Sequence, residues 1–462
     1  MKHLFIASLV LLLTANLSAQ EWVGSWEGDL NAGMQTVKIV FNIKKGADGE
    51  LTATMDSPEQ NAYDLKMDKV STKKGSITME MKSAQIKYIG EISEDGQKMK
   101  GDWIQGVALE LNLTKAKGGE KYPRPQTPQA PFPYEIKDIT YPNQKANINL
   151  AGTLTIPKEG GKHPVAILIS GSGPQDRDES ILKHKPFWVI ADYLTRNGIA
   201  VLRFDDRGFG KSEGDFASAT TADFATDVEA AVAYLRTQDW VDQNKIGLIG
   251  HSEGGMIAPI VASKDKKIAF MVLLAGPGVP CADVLAQQGD DILKEKGIEE
   301  EVRKHVRNIN TTIYSMVAKD KKNTLAVGDL MDAIKDDVAK VDASLHEELG
   351  LDKLSLRRGC TAAKTPWMRY FLTYTPETNL KKVKCPVLAL NGEKDIQVAA
   401  KPNLDAIKKA LKKNKNVTCQ ALPNLNHLFQ NCETGAFDEY IKIEETFAPE
   451  ALKTMLDWLK KQ

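Results

Sequence analysis

Five short, almost uninterrupted apolar runs constrain this chain more than anything else in it. They are Val165-Ala166-Ile167-Leu168-Ile169, Ile199-Ala200-Val201-Leu202, Ile246-Gly247-Leu248-Ile249, Phe270-Met271-Val272-Leu273-Leu274 and Val387-Leu388-Ala389-Leu390. A strand with one face in water alternates apolar and polar residues; a continuous run needs cover on both faces. Helical patterns intervene, as where Phe224, Val228, Ala231 and Leu235 recur at helical spacing. Alternating buried strands and amphipathic helices predict a doubly wound α/β unit with a mostly parallel sheet, its active groups at the carboxyl ends of the strands.

The rest of the chain follows a different grammar. From residue 20 to about 118, apolar residues alternate: Val37, Ile39, Phe41 and Ile43; Leu51, Ala53 and Met55; Val107, Leu109, Leu111 and Leu113. Ala47-Asp48-Gly49 and Asp95-Gly96 supply turns, and Trp26 and Trp103 are placed to close a core. This predicts a small all-β domain, barrel or sandwich-like, of accessory or ligand-binding use. Residues 119–134, with a Pro at almost every second position from Pro123 to Pro133, read as an extended linker, leaving 135–462 for the α/β unit. Between about 280 and 380 the strand signals stop and polar helical patterns take over, too long for a plain loop. That insertion reads as a helical cap, ending in an aromatic face of Trp367, Tyr370, Phe371 and Tyr374 that suits either an apolar substrate pocket or packing onto the body.

Residues 1–19 read as a cleaved signal peptide. Lys2 and His3 precede the apolar run 4–13, shorter than the about 20 residues of a membrane span, and Ala19 provides a small residue for cleavage. The expected location is periplasmic or secreted, with no stable membrane insertion after cleavage. Lys+Arg and Asp+Glu are equal at 61 each, which gives no reason to expect nucleic acid as a partner. Of the cysteines Cys281, Cys360, Cys385, Cys419 and Cys432, none has metal-ligand spacing, and the odd number leaves at least one unpaired within the chain. No metal or cofactor is implied.

The chemistry centres on Gly250-His251-Ser252-Glu253-Gly254, a G-x-S-x-G string between the Ile246–Ile249 run and an apolar helix pattern through Met256, Ile257, Ile260 and Val261. In that context the Ser rides a tight strand-to-helix turn and offers its hydroxyl as a nucleophile. A Ser hydroxyl needs a base, and in folds built on such an elbow the chain order is Ser, acid, His. Of His305, His346 and His427, the first two sit in charged cap segments; His427 follows a candidate last strand over 417–422 and is the expected base. Asp395, in the loop after the Val387–Leu390 run, is the expected acid, with Glu393 as its rival. Asp205 and Asp206 precede Ser252 and read as loop structure. The oxyanion is expected between the backbone N–H of Glu253 and one from the loop after Ile169, Ser172 first, Gly171 and Gly173 as rivals.

These stretches together resemble a known group. Gly250-His251-Ser252-Glu253-Gly254-Gly255, the loop from Ser170 to Asp178, Arg203-Phe204-Asp205-Asp206-Arg207-Gly208 and Asn391-Gly392-Glu393-Lys394-Asp395 are similar to those of bacterial α/β-hydrolases on the border of esterases and serine aminopeptidases. The resemblance covers roughly residues 135 to 462. It implies the α/β-hydrolase fold, a triad on Ser252, Asp395 and His427, and carboxylesterase activity on small esters with short acyl chains. A serine aminopeptidase or acyltransferase on the same triad is the alternative, and a ligand-binding protein with an inert hydrolase domain is a third. Oligomeric state is not legible.

Overall fold

The computed structural model describes residues 22–31, 36–46, 48–60, 62–73, 75–116 and 122–462. The expected signal peptide lies outside the described residues. The chain divides into two compact units, 1–123 and 124–462. The Pro-rich stretch expected to be a spacer therefore belongs mostly to the second unit, where Arg124 donates to the carbonyls of Leu182, Ile441 and Ile443 and Gln126 to that of Phe447.

The first unit is antiparallel. Its strands are Gly24–Asn31 (β1), Thr36–Lys45 (β2), Leu51–Ser57 (β3), Ala62–Lys66 (β4), Lys69–Lys73 (β5), Ser76–Met81 (β6), Ile86–Ile92 (β7), Lys98–Gln105 (β8), Val107–Glu110 (β9) and Leu113–Lys115 (β10). They run in the order β4-β3-β2-β1-β10-β8-β7-β6-β5, with β9 paired to β8. Ile39, Phe41 and Ile43 of β2 and Ala53 and Met55 of β3 point into one core with Trp26 and Trp103. The stretch expected as one last strand is two. Gly106, at φ +75°, turns β8 back into β9, which leaves Val107 exposed, while Leu111 and Leu113 return to the core.

The second unit holds an eight-stranded sheet in the order β11-β12-β14-β13-β15-β16-β17-β18. The strands are Tyr134–Asn143 (β11), Ile148–Pro157 (β12), His163–Ile169 (β13), Ala200–Phe204 (β14), Val241–His251 (β15), Met271–Leu274 (β16), Val387–Gly392 (β17) and Val417–Leu422 (β18). β11 and β12 form an antiparallel edge that the apolar runs do not announce; from β14 to β18 the pairing is parallel. Helices Pro186–Arg196 (α1), Thr221–Leu235 (α2) and Gly254–Lys264 (α3) come first. The inserted segment follows: Cys281–Glu295 (α4), Glu300–Lys319 (α5), Val327–Val338 (α6), Lys353–Ala363 (α7) and Pro366–Thr373 (α8). Ala400–Ala410 (α9) and Pro449–Leu459 (α10) follow the insertion.

The continuous apolar runs are explained by two cores. On β13, Val165, Ile167 and Ile169 face α2, α3 and α9, while Ala166 and Leu168 face α1 and α10. The inserted helices have a core of their own, with Val306, Ile309 and Ile313 of α5, Leu330 and Ile334 of α6 and Cys360 of α7. The chain leaves β13 toward β14 on one side and pairs β15 on the other. The loops after β13 and β15 therefore diverge and open a crevice at the carboxyl ends of the strands.

Candidate active site

Ser252 follows β15 directly and carries φ +51°, a left-handed backbone rarely tolerated by a side chain. The flanking glycines make that turn possible. A Cβ on Gly250 would lie 2.1 Å from the Gly254 carbonyl oxygen, and one on Gly254 would lie 2.1 Å from that of Ile169. The turn lifts Ser252 into a cavity of about 250 Å³, at the N-terminus of α3.

His427 and Asp395 come together as the chain order predicts. His427 Nδ1 lies 2.8 Å from Asp395 Oδ2. The other carboxylate oxygen accepts the N–H groups of Gln397 and Val398 at 2.8 and 2.9 Å, so the acid cannot swing away. Asn391, at the end of β17, donates to the Val398 carbonyl and closes the same loop. His427 and Ser252 line the same cavity. Glu393 does not reach the imidazole site, and His305 and His346 stay within the inserted helices, bonded to Asp337 and to the Val341 carbonyl.

The loop after β13 wraps the nucleophile. A Cβ on Gly171 would sit 3.2 Å from Ser252 Cβ. The Gly171 N–H is committed to Glu179 Oε1 at 2.7 Å, which removes it as an oxyanion donor. Ser172 lines the cavity, and among the described residues neither its N–H nor that of Glu253 donates to a protein acceptor. Asp206, read from sequence as loop structure, braces this loop: it accepts from Ser170 Oγ at 2.7 Å and from the Gln175 N–H at 2.9 Å. Burial pushes the Asp206 carboxyl up to about 8 against those two hydrogen bonds, and Glu253 and Glu179 add to the rise.

Sequence reasoning valued Glu253 for its backbone alone. Its side chain is 2% exposed, and Oε1 accepts from Thr221 Oγ1 at 2.6 Å and Trp367 Nε1 at 2.8 Å. Burial raises its carboxyl above the usual range, opposed by hydrogen bonds from Thr221, Trp367 and Ser172. Trp367 thus ties α8 to the elbow. Of the aromatic face on α8, Trp367 and Phe371 line the cavity, while Tyr370 and Tyr374 stack on each other and pack on the body. Val284, Leu285 and Gln288 of α4 complete that wall. Among the described residues no cluster of metal-ligating side chains is found, and all five cysteines are free thiols.

Comparison with known proteins places the chain in a family. The family model described as serine aminopeptidase, S33, matches residues 186–431. The esterase EstD of Thermotoga maritima is 27% identical over 313 residues, 68% of this chain but only 64% of that protein's length. An uncharacterized 31.7 kDa protein of Escherichia coli, from the traX-finO intergenic region, is 24% identical over 55% of this chain and 80% of its own. Among solved structures, the Pyrococcus furiosus esterase Pf2001 aligns with a TM-score of 0.42 and 18% identity, over 71% of this chain and 93% of that one. The matched segment spans more than half of the sequence and holds the elbow, the acid loop and the base loop, and the chain belongs to the serine aminopeptidase S33 family of α/β-hydrolases.

Proposed function

We propose that the protein is a serine carboxylesterase acting on small esters with short acyl chains. The observation that carries this reading is the His427–Asp395 hydrogen bond facing the same cavity as a Ser held at positive φ. In the proposed reaction Ser252 Oγ attacks the ester carbonyl while His427 takes its proton. The N–H groups of Ser172 and Glu253 receive the oxyanion, helped by the positive end of α3. Collapse of the tetrahedral intermediate breaks the C–O bond, and His427 returns the proton to the departing alcohol. Water then repeats the sequence on the acyl-enzyme and releases the acid. Asp395 holds His427 in the tautomer with the proton on Nδ1 and stabilises the imidazolium.

The acyl group is placed against Val284, Leu285, Trp367 and Phe371. The cavity of about 250 Å³ falls below the roughly 300–1,000 Å³ of drug-sized sites, which favours short chains. An aminopeptidase would need a free carboxylate for the substrate's ammonium. The cavity's carboxylates, Glu179 and Glu253, are already engaged, and among the described residues α4 and α8 contribute no acid to its wall. This favours ester over amide. Export through the segment 1–19 is part of the same proposal; N-terminal sequencing of the mature protein should begin at Gln20.

The test is hydrolysis of p-nitrophenyl acetate, butyrate and octanoate, beside alanine p-nitroanilide, by the mature chain and Ser252→Ala. Ester turnover that declines with chain length and disappears in the variant is the expected result. Faster anilide cleavage moves the assignment to an aminopeptidase, and equal rates in the variant overturn the triad.

A further inference from the structure

His251, the residue before the nucleophile, takes no part in that reaction sequence, yet it is buried between the two loops that do. Its Nδ1 lies 2.9 Å from Glu179 Oε1, and its Nε2 lies 3.0 Å from the backbone oxygen of His427. A backbone carbonyl only accepts. Glu179 Oε1 also accepts the Gly171 N–H, which suits a carboxylate and not an acid O–H. A neutral imidazole has one N–H and satisfies one of two acceptors; only the imidazolium satisfies both. Glu179 moreover sits at φ +52°, an unfavourable backbone for a residue with a Cβ, and its side chain is almost fully buried.

We propose that His251 is held as an imidazolium by Glu179 and that this pair is a positioning unit for the reaction, a role that rests on the triad reading above. Through one carboxylate oxygen it fixes Gly171 in the oxyanion loop; through Nε2–H it fixes the backbone of His427 in the base loop. The sequence elbow–Glu179–Gly171 and elbow–His251–His427 joins three loops from distant parts of the chain around Ser252.

The pair sits among other ionisable groups. The His251 and His427 rings lie 4.8 Å apart between centroids. The groups facing His251 are Glu179 from the loop after β13, and His427 and Asp395 from the base and acid loops. Lys183, also buried, follows in the Glu179 segment. Burial works against a charge on His251, but the Glu179 carboxylate and the two hydrogen bonds outweigh it and the net direction is upward.

The experiment uses the whole chain labelled with 15N-histidine, with the His251 signal assigned by its loss in His251→Asn. Both ring nitrogens of His251 should read as protonated at a pH above the ordinary His midpoint. In Glu179→Gln the same signal should lose its second proton at a lower pH than in the unmodified protein. In His251→Asn, kcat for p-nitrophenyl butyrate should fall while KM holds, because Gly171 and the His427 backbone lose their common anchor. A bare His251 nitrogen near neutral pH in the unmodified protein overturns the pair, whether or not Glu179→Gln folds. An unchanged kcat, or a KM that rises alone, overturns the positioning role. The NMR reading is independent of the triad, whose failure would show instead as turnover by Ser252→Ala.

Discussion

Replacing Trp367 by Phe isolates one hydrogen bond that joins the inserted helices to the nucleophile elbow. Phe keeps a ring against Phe371, whose centroid lies 5.1 Å away, but loses the Nε1–H that donates to Glu253 Oε1 at 2.8 Å. The acceptor is buried and remains bonded to Thr221, so the loss is that of one charge-assisted bond, about 1.5–3 kcal/mol. If that bond secures α8, the free energy for local opening of α8 falls by the same amount. Hydrogen exchange reads it directly: protection of α8 amides should drop roughly 10- to 150-fold at about 1.4 kcal/mol per decade, while α2 is unchanged. The cycle is closed with Glu253→Leu, in whose background Trp367→Phe should cost only its lost packing. An unchanged α8, or the same loss with and without Glu253, refutes the link between helix insertion and elbow.

Two further outcomes follow from the site. Asp395→Asn keeps an acceptor for the N–H groups of Gln397 and Val398 but presents an amide to His427, so the imidazole adopts the wrong tautomer. kcat for p-nitrophenyl butyrate should fall about 10⁴-fold with little change in thermal midpoint, and a loss below about tenfold would contradict the assigned acid. Asp206 gives a pH dependence of stability. Its carboxyl rises from 3.8 to about 8 on folding, so the folded state binds the extra proton; the stability this contributes is full below about pH 4 and is lost as pH rises through about 8. Asp206→Asn should flatten that slope by a few kcal/mol between about pH 5 and about pH 9 in urea unfolding, at about 1.4 kcal/mol per unit; parallel slopes would remove Asp206 as the source.

The parts of this site that were legible in sequence are those fixed by backbone geometry and chain order. The elbow announces itself because Gly250 and Gly254 admit no side chain. Asp395 and His427 follow from being in the right order after the right strands. The two-face burial of β13 to β17 is visible because it abolishes alternation. What stayed hidden depends on pairing across long separations: His251 meets Glu179 across 72 positions, and Trp367 meets Glu253 across 114. Neither pair has a local signature, since a Glu in a polar loop and a Trp on a helix each read as ordinary. The β11–β12 edge is hidden in sequence because most of β11 is in water: Glu135, Ile136, Lys137 and Asp138 are all exposed, so no apolar run or alternation marks it. The β9–β10 break was missed because Leu109, Leu111 and Leu113 keep alternating through it.

The inserted helices bury a core that the sheet does not share, and among the described residues the cavity touches them only through α4 and α8. Most of α5, α6 and α7 is therefore free to change in sequence without moving a catalytic atom, so long as that separate core still closes. Substrate range and reaction chemistry are inherited from different parts of one polypeptide. On the esterase reading proposed above, a lineage can explore new esters by redrawing a few residues on two helices while the proposed proton-transfer geometry passes down untouched.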